Sequence, residues 1–457
     1  METTSKDIMM DLRQQLRGDV ITPEDSGYDA ARAVFYTSVD RKPVAVAKVA
    51  DAEDVKASLR WAKQNGLEIA VRGGGHSAAA FGVNDGGLVI DMSGMQKLEI
   101  DANSRTAWAD AGLTAGMYTE AAGAYGLATG FGDTATVGIG GLTLGGGVGL
   151  LSRKRGLTID SLLGAEIVTA DGKLLTIDDS NYEDLFWAIR GGGGNFGIAT
   201  RFKFRLHPVD EIYGGFLILP ATPQTITGFI EAAGEAPEDL TTILNVMPAP
   251  PMPFLPEELH GKTILFAMMV HSEGGDSGEH AMAPFRSLAA PLGDMLGPKK
   301  YPEIFQGSEG PHPAAGYGLT FFIDKVDQSS AQYALDRLHE STAPIRVVQY
   351  RVLGGAVAQI HPLETAYVHR KAKIMVNVAN LYENLDEAEM HAGWARETAA
   401  GMDQGVTGAY VNFLGDEGQA RVRAAYPGLT WRRLTEIKRK YDPHNLLHGN
   451  QNIPPAK

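Results

Sequence analysis

At 457 residues, 44% apolar and 21% charged, the chain has the make-up of a soluble globular protein too long for one ordinary core, so two domains are expected. A net charge of −14 speaks against nucleic acid or an anionic membrane as partner. Cysteine is absent, which excludes a disulfide, a thiolate metal site and a cysteine nucleophile.

Residues 1–11 are polar and carry acids, so no signal peptide is expected. No run of about 18 apolar residues occurs, so no transmembrane span is expected and the expected compartment is the cytoplasm. Short helices are predicted over residues 5–16 and 29–35, and a strand over 43–49. An amphipathic helix over 52–65 follows, with Val55, Leu59, Trp61 and Ala62 as its apolar residues. The strand 67–71 then runs into Arg72-Gly73-Gly74-Gly75-His76-Ser77. Three glycines in a row leave backbone amides free to approach a pyrophosphate, with Arg72 adding charge at the edge and His76 on the rim, where an imidazole has several possible jobs.

A turn and buried strand are predicted over 84–91, a hairpin over 97–111, a helix over 117–125 and a strand over 163–169 ending in a turn at 170–173. The helix 184–190 enters a glycine run, and the strand 198–206 closes the first domain. After Pro208, segments at 215–219, 226–233, 241–247, 263–270, 317–323, 331–338, 345–353, 374–382 and 387–400 alternate strands with helices. That pattern predicts an antiparallel sheet backed by helices. The five prolines within 248–256 mark a loop. Residues 409–413 and a helix over 431–441 read as a return to the first domain.

Glycine supplies 55 residues, about 12% of the chain where about 7% is usual, and it clusters at 73–75, 138–149 and 191–197. Separate glycine loops between periodic segments point to a phosphate-bearing cofactor. Residues 192–197 fit G-x-G-x-x-G, yet a helix precedes them and a strand follows, and Tyr213 and Gly214 stand where the ribose-binding acid belongs. Rossmann binding is therefore rejected. His361 and His369 are eight apart, His444 and His448 sit between Pro443 and Gly449, and no carboxylate-rich loop occurs, so no metal is expected. A Gly-x-Ser-x-Gly nucleophile elbow is also absent.

Arg72-Gly73-Gly74-Gly75-His76-Ser77, Thr136-Val137-Gly138-Ile139-Gly140-Gly141, Gly145-Gly146-Gly147, the run from Phe186-Trp187-Ala188 to Asn195-Phe196-Gly197, Tyr410-Val411-Asn412, and Tyr441-Asp442-Pro443-His444-Asn445 with Asn450-Gln451-Asn452 resemble one known family. In order and over nearly the whole chain, they are similar to the berberine-bridge-enzyme-like flavoproteins of the vanillyl-alcohol-oxidase superfamily. The resemblance implies an α+β fold with a two-part FAD-binding domain (1–208 and 405–457) and an inserted antiparallel-sheet substrate domain (209–404).

It also implies FAD bound covalently through His76. Many relatives add a cysteinyl bond from the position occupied here by Thr134, so attachment should be single, the flavin potential lower and the pocket more open. Further FAD contacts are implied for Arg72, Gly73, Gly74, Gly75, Ser77, Thr136, Gly138, Gly140, Gly141, Gly146, Asp160, Ile198, Asn412, Asn450 and Asn452. Val137 matches the gatekeeper that goes with oxygen access. Tyr410 matches the tyrosine that activates an alcohol or phenol. Strand alternation groups Gln349 and Arg351 with Val347 on one face. Several relatives carry a glutamate base near Gln349, a role that glutamine cannot fill, and Arg351 would lower the Tyr410 pKa or bind a substrate carboxylate. The implied activity is that of an FAD-linked oxidase, taking a hydride from an alcohol, amine or phenol-like small molecule and passing electrons to O2. A dehydrogenase, an oxidative cyclase or oxygenase, and a flavin-binding protein without turnover are the alternatives. No nucleic acid, membrane or metal partner is expected, and the assembly expected is a monomer or homodimer.

Overall fold

Parallel strands carry the first glycine loop. In the computed structural model, which describes residues 11–251, 255–305 and 312–457, a four-stranded sheet runs in the order Asp19–Ile21, Ala45–Lys48, Leu88–Asp91, Ile69–Arg72. Leu88–Asp91 lies parallel to both Ala45–Lys48 and Ile69–Arg72. Parallel neighbours need a crossover, and helix Ala52–Gln64 supplies one. Asp51 caps that helix by accepting from the amides of Glu53 and Asp54, and Val55, Leu59, Trp61 and Ala62 are buried. The loop beginning at Gly73 therefore leaves the carboxyl end of a parallel strand, where α/β sheets bind ligands. Of the helix expected over 5–16, residues 11–15 are helical and residues 5–10 lie outside the described residues.

A second, antiparallel sheet orders Leu98–Asp101, Thr106–Asp110, Ile198–Arg205, Leu162–Val168 and Leu174–Ile177. One core joins buried residues of both sheets to Val411, Leu414, Tyr426, Leu434, Leu447 and Ile453, so residues 409–453 pack back onto the N-terminal half. The third sheet, of eight strands, is built from residues 211–382. Its order is Gly293–Asp294, Glu211–Pro220, Thr263–His271, Leu240–Pro248, Ile345–Val352, Ile374–Tyr382 and Ala315–Ile323, with Gly297–Lys300 also pairing the second of these. A separate core beneath it holds Leu244, Val246, Val348, Tyr350, Val376 and Val378 against helices Pro223–Glu235, Gln328–Glu340 and Ala388–Met402. Alternation turns the residues between them to the opposite face. The register sets Asn245 opposite Gln349, and Gln349 opposite Asn377.

Helices Ser152–Arg155, Ala356–Gln359 and Gln419–Ala425 were not legible, and neither were two others. Gly275–Arg286 begins behind two left-handed glycines and contains Pro284. Ile139–Leu144 lies inside the second glycine cluster, where Gly140 and Gly141 each cost about 1 kcal/mol of helix propensity, and burial of Ile139 and Leu144 holds it. Part of the proline loop, 252–254, lies outside the described residues. Among the described residues no helix is long and apolar enough to cross a membrane.

Candidate functional site

A cavity of about 710 Å³ lies between the three glycine loops, the face of the eight-stranded sheet turned away from helices Pro223–Glu235, Gln328–Glu340 and Ala388–Met402, and the segments 410–414 and 447–451. Ligand sites commonly measure ~300–1,000 Å³. Gly75 turns the first loop with φ of +73°. A Cβ on Gly74 would stand 2.4 Å from the amide nitrogen of Gly138, and one on Gly138 only 2.3 Å from that of Gly74. These two glycines let one loop press against the other. At Gly141 and Gly194 a Cβ would meet nothing within 4 Å, and both residues line the cavity. There the missing side chains leave room for an occupant.

Arg72 lines the cavity, with its charge paired inside the first sheet. Its guanidinium donates to Asp91 at 2.9 Å, to the Ala33 carbonyl at 3.1 Å and to the Ala31 carbonyl, and both partners of the ion pair are buried. The charge is neutralised inside the first sheet, so Arg72 ties Leu88–Asp91 and residues 31–33 beneath the loop. His76 lies on the cavity wall, its ring 4.8 Å from that of Phe35, which in turn lies 5.2 Å from His312. Burial, helped by His312, pushes the His76 pKa below its ordinary value, so the imidazole is neutral at neutral pH. Gly73, Ser77, Thr134, Val137, Gly140, Ile198, Asn412 and Asn450 also line the cavity.

Four residues expected at the cofactor stand outside that wall. Asp160 accepts from Arg370 at 2.7 and 2.8 Å and from the Leu157 amide at 2.7 Å, a buried ion pair that fixes residues 157–160. The Thr136 carbonyl faces Gly74, Gly146 packs against the rings of Tyr367 and Tyr410, and the Asn452 carbonyl accepts from Gln419 at 3.0 Å.

The sheet side of the cavity is a polar relay. Gln349 donates to Asn245 at 2.8 Å and accepts from Arg351 Nε at 2.8 Å. Arg351 Nη2 reaches Asp133 at 2.5 Å, Thr134 donates to the other Asp133 oxygen at 3.0 Å, and the guanidinium lies 5.1 Å from the Phe413 ring centre. Asp133, Asn245 and Asn377 were missed in the sequence. Asparagines in the apolar strands Leu240–Pro248 (Asn245) and Ile374–Tyr382 (Asn377 and Asn380) were a usable signal; Asp133, in aperiodic chain, gave none.

Tyr410 is buried before the turn Val411–Phe413. Its hydroxyl oxygen accepts from the amides of Gly147 at 3.0 Å and Val148 at 3.1 Å and from Asn412 Nδ2 at 3.0 Å. Burial raises its pKa, while these donors and Arg351 act against that rise. Converging donors favour an anionic oxygen and so offset part of the rise that burial causes.

The residues present fit FAD. Open space at Gly141 and Gly194 adjoins free loop backbone, and the buried Asn450 Oδ1 has no hydrogen-bond partner among the described residues. Fold and cavity together define a protein arranged around an extended, phosphate-bearing cofactor. Residues 43–178 match an FAD-binding domain family, and residues 409–454 match the berberine and berberine-like family. The chain is 29% identical over 452 residues to (R)-6-hydroxynicotine oxidase of Paenarthrobacter nicotinovorans, covering 96% of this chain and 97% of that one. With an uncharacterized FAD-linked oxidoreductase of Bacillus subtilis, YgaK, identity is 30% over 465 residues, covering 97% and 98%. The crystal structure of 6-hydroxy-D-nicotine oxidase from Arthrobacter nicotinovorans superimposes with a TM-score of 0.86 at 27% identity, over 96% of this chain and 98% of its own. Glucooligosaccharide oxidase from Acremonium strictum, which carries a 6-S-cysteinyl, 8α-N1-histidyl FAD, shares the fold with a TM-score of 0.84 at 21% identity, over 99% and 100%. The chain belongs to the berberine-bridge-enzyme-like FAD-linked oxidoreductases.

Proposed function

We propose that this FAD-linked oxidoreductase is an oxidase of a small alcohol, amine or phenol-like substrate, with FAD tethered by one covalent bond to His76. The observation that carries the reading is one cavity with a neutral imidazole on its glycine-loop wall and a donor-cradled phenol, Tyr410, on another. A neutral imidazole is the form that can make the bond to a flavin. Thr134 cannot make a thioether, and no cysteine exists to replace it. FAD, when bound, supplies a hydride acceptor and a route for the electrons to O2.

In this reading residues 1–208 and 405–457 hold the cofactor, and residues 209–404 present the substrate wall. Backbone of the three glycine loops cradles the phosphates, Asn412 and Asn450 hydrogen-bond polar parts of the cofactor, and Val137 keeps a small opening for O2. Tyr410 takes the proton of the substrate hydroxyl. Gln349, already bonded to Asn245 and Arg351, orients that relay and accepts no proton.

Acid precipitation is the test of the tether: the pellet should stay yellow, and His76→Ala should release its flavin to the supernatant. Flavin freed by acid from the unaltered protein would sink the single-tether reading. Oxidase is separated from dehydrogenase by mixing substrate-reduced enzyme with air-saturated buffer; flavin that stays reduced for minutes would exclude an oxidase.

A further inference from the structure

Among the described residues that line the cavity, Asp133 is the only carboxylate. It rises from the loop between strand Leu127–Ala128 and the second glycine cluster and meets Arg351, which comes from the inserted sheet. Arg351 is 6% exposed at its side chain and Asp133 23%, so the cation is nearly enclosed and the anion looks into the cavity. Phe413 covers the guanidinium, Gln349 holds Nε and Asp133 holds Nη2, while no hydrogen bond reaches Nη1 among the described residues. Three distant segments thus fix one cation on the cavity wall it shares with Tyr410, the Phe413 ring standing 5.1 Å from the guanidinium and 5.0 Å from the Tyr410 ring.

We propose that Asp133 is a positioning residue that, by holding and partly neutralising Arg351, sets how tightly Tyr410 holds its proton. This rests on reading Tyr410 as the group that receives the substrate's proton. In that step Tyr410, having first released its own proton to solvent, takes the proton of the substrate oxygen, and the hydride of the substrate carbon would pass to the FAD of the proposed function, so the substrate loses two hydrogens; Tyr410 then gives the proton it has received to solvent.

The other charged or titratable groups around Tyr410 are the phenols of Tyr367, 6.1 Å away between ring centres, and Tyr426, both raised by burial. Behind Tyr367 lie His369 and the Arg370–Asp160 pair, closed on itself by two hydrogen bonds. Arg351 is therefore the cation whose balance can be altered from the cavity side. A cation near a phenolate favours it, and an anion bound to that cation cancels part of the effect.

The experiment is a pH titration of tyrosinate absorbance in the flavin-loaded protein, with Tyr410→Phe subtracted so that only Tyr410 is read. Asp133→Asn, which keeps the shape and removes the charge, should lower the midpoint by about one pH unit. Arg351→Met should raise it by a similar amount, and Asp133→Glu should restore the original midpoint. A role in folding alone would not displace the midpoint in opposite directions. An unchanged midpoint in Asp133→Asn overturns the proposal. If that variant does not fold, an unchanged midpoint in Arg351→Met overturns it. Full flavin reduction by substrate in Tyr410→Phe would sink the reading of Tyr410 as proton acceptor, and with it the purpose assigned to Asp133, whatever the titration shows.

Discussion

Gly74 and Gly138 stand so close that neither can carry a side chain, since a Cβ on either would fall 2.3–2.4 Å from the other's amide nitrogen. The obstacle is backbone on both sides and has no rotamer to move aside. Gly74→Ala or Gly138→Ala should cost about 3 kcal/mol or more, at the upper end for overpacking. Urea unfolding of the apo-protein measures this, and a loss under about 1 kcal/mol would show that the loops part easily.

Gly141 is the contrasting case, because a Cβ there meets nothing and the residue borders the cavity. Gly141→Val should fold with nearly unchanged urea stability yet retain much less flavin. The ratio of visible flavin absorbance to protein absorbance reads the effect; full occupancy would mean that the cofactor does not pass this residue.

Lys438 and Asp442 form a fully buried pair at 2.7 Å, with Lys438 also donating to the carbonyls of Asn195 at 2.8 Å and Leu447 at 2.9 Å. Lys438→Met would leave the Asp442 carboxylate uncompensated. A loss of roughly 3–5 kcal/mol is expected, as for other broken buried pairs. Lys438→Met with Asp442→Leu together should lose less than Lys438→Met alone. Equal losses would mean that the ion pair matters little.

His207, hydrogen-bonded to Ser161 at 2.9 Å, has its pKa pushed down to about 4 by burial, with Arg155 and Arg205 adding to the shift. Below its unfolded pKa of about 6.5 the unfolded chain binds a proton that the folded protein refuses. Stability contributed by the neutral ring is thus whole above about pH 6.5 and is lost as pH falls towards 4, at up to about 1.4 kcal/mol per pH unit. His207→Gln should flatten that slope, and parallel stability curves for the two proteins would count against it.

The periodic parts of the chain were readable because one face of each element is buried. Val55, Leu59, Trp61 and Ala62 announced their helix, and Val348, Tyr350 and Val352 told which side of their strand meets the helices. Glycine clustering and order pointed to the cofactor. Membership of a recognised string does not say what a side chain bonds to. Arg72, in one such string, and Asp160, implied as a cofactor contact, are each spent on a buried partner, Asp91 and Arg370, that lies 19 and 210 positions away. Long-range pairing of this kind leaves no local pattern. Asp133 was hidden for the same reason, its partner Arg351 being 218 positions on.

The packing of residues 409–453 onto the N-terminal core has a consequence for biosynthesis. Asn195 donates to the Gln451 carbonyl and accepts from the Ile453 amide, while Tyr410, Asn412 and Asn450 complete the cavity wall. At about 5–20 residues per second, the ribosome makes the glycine loops many seconds before it makes this wall. A nascent chain lacking residues 409–453 has the glycine-loop residues and His76 but not this wall, so the cavity is complete only once nearly the whole chain has been made.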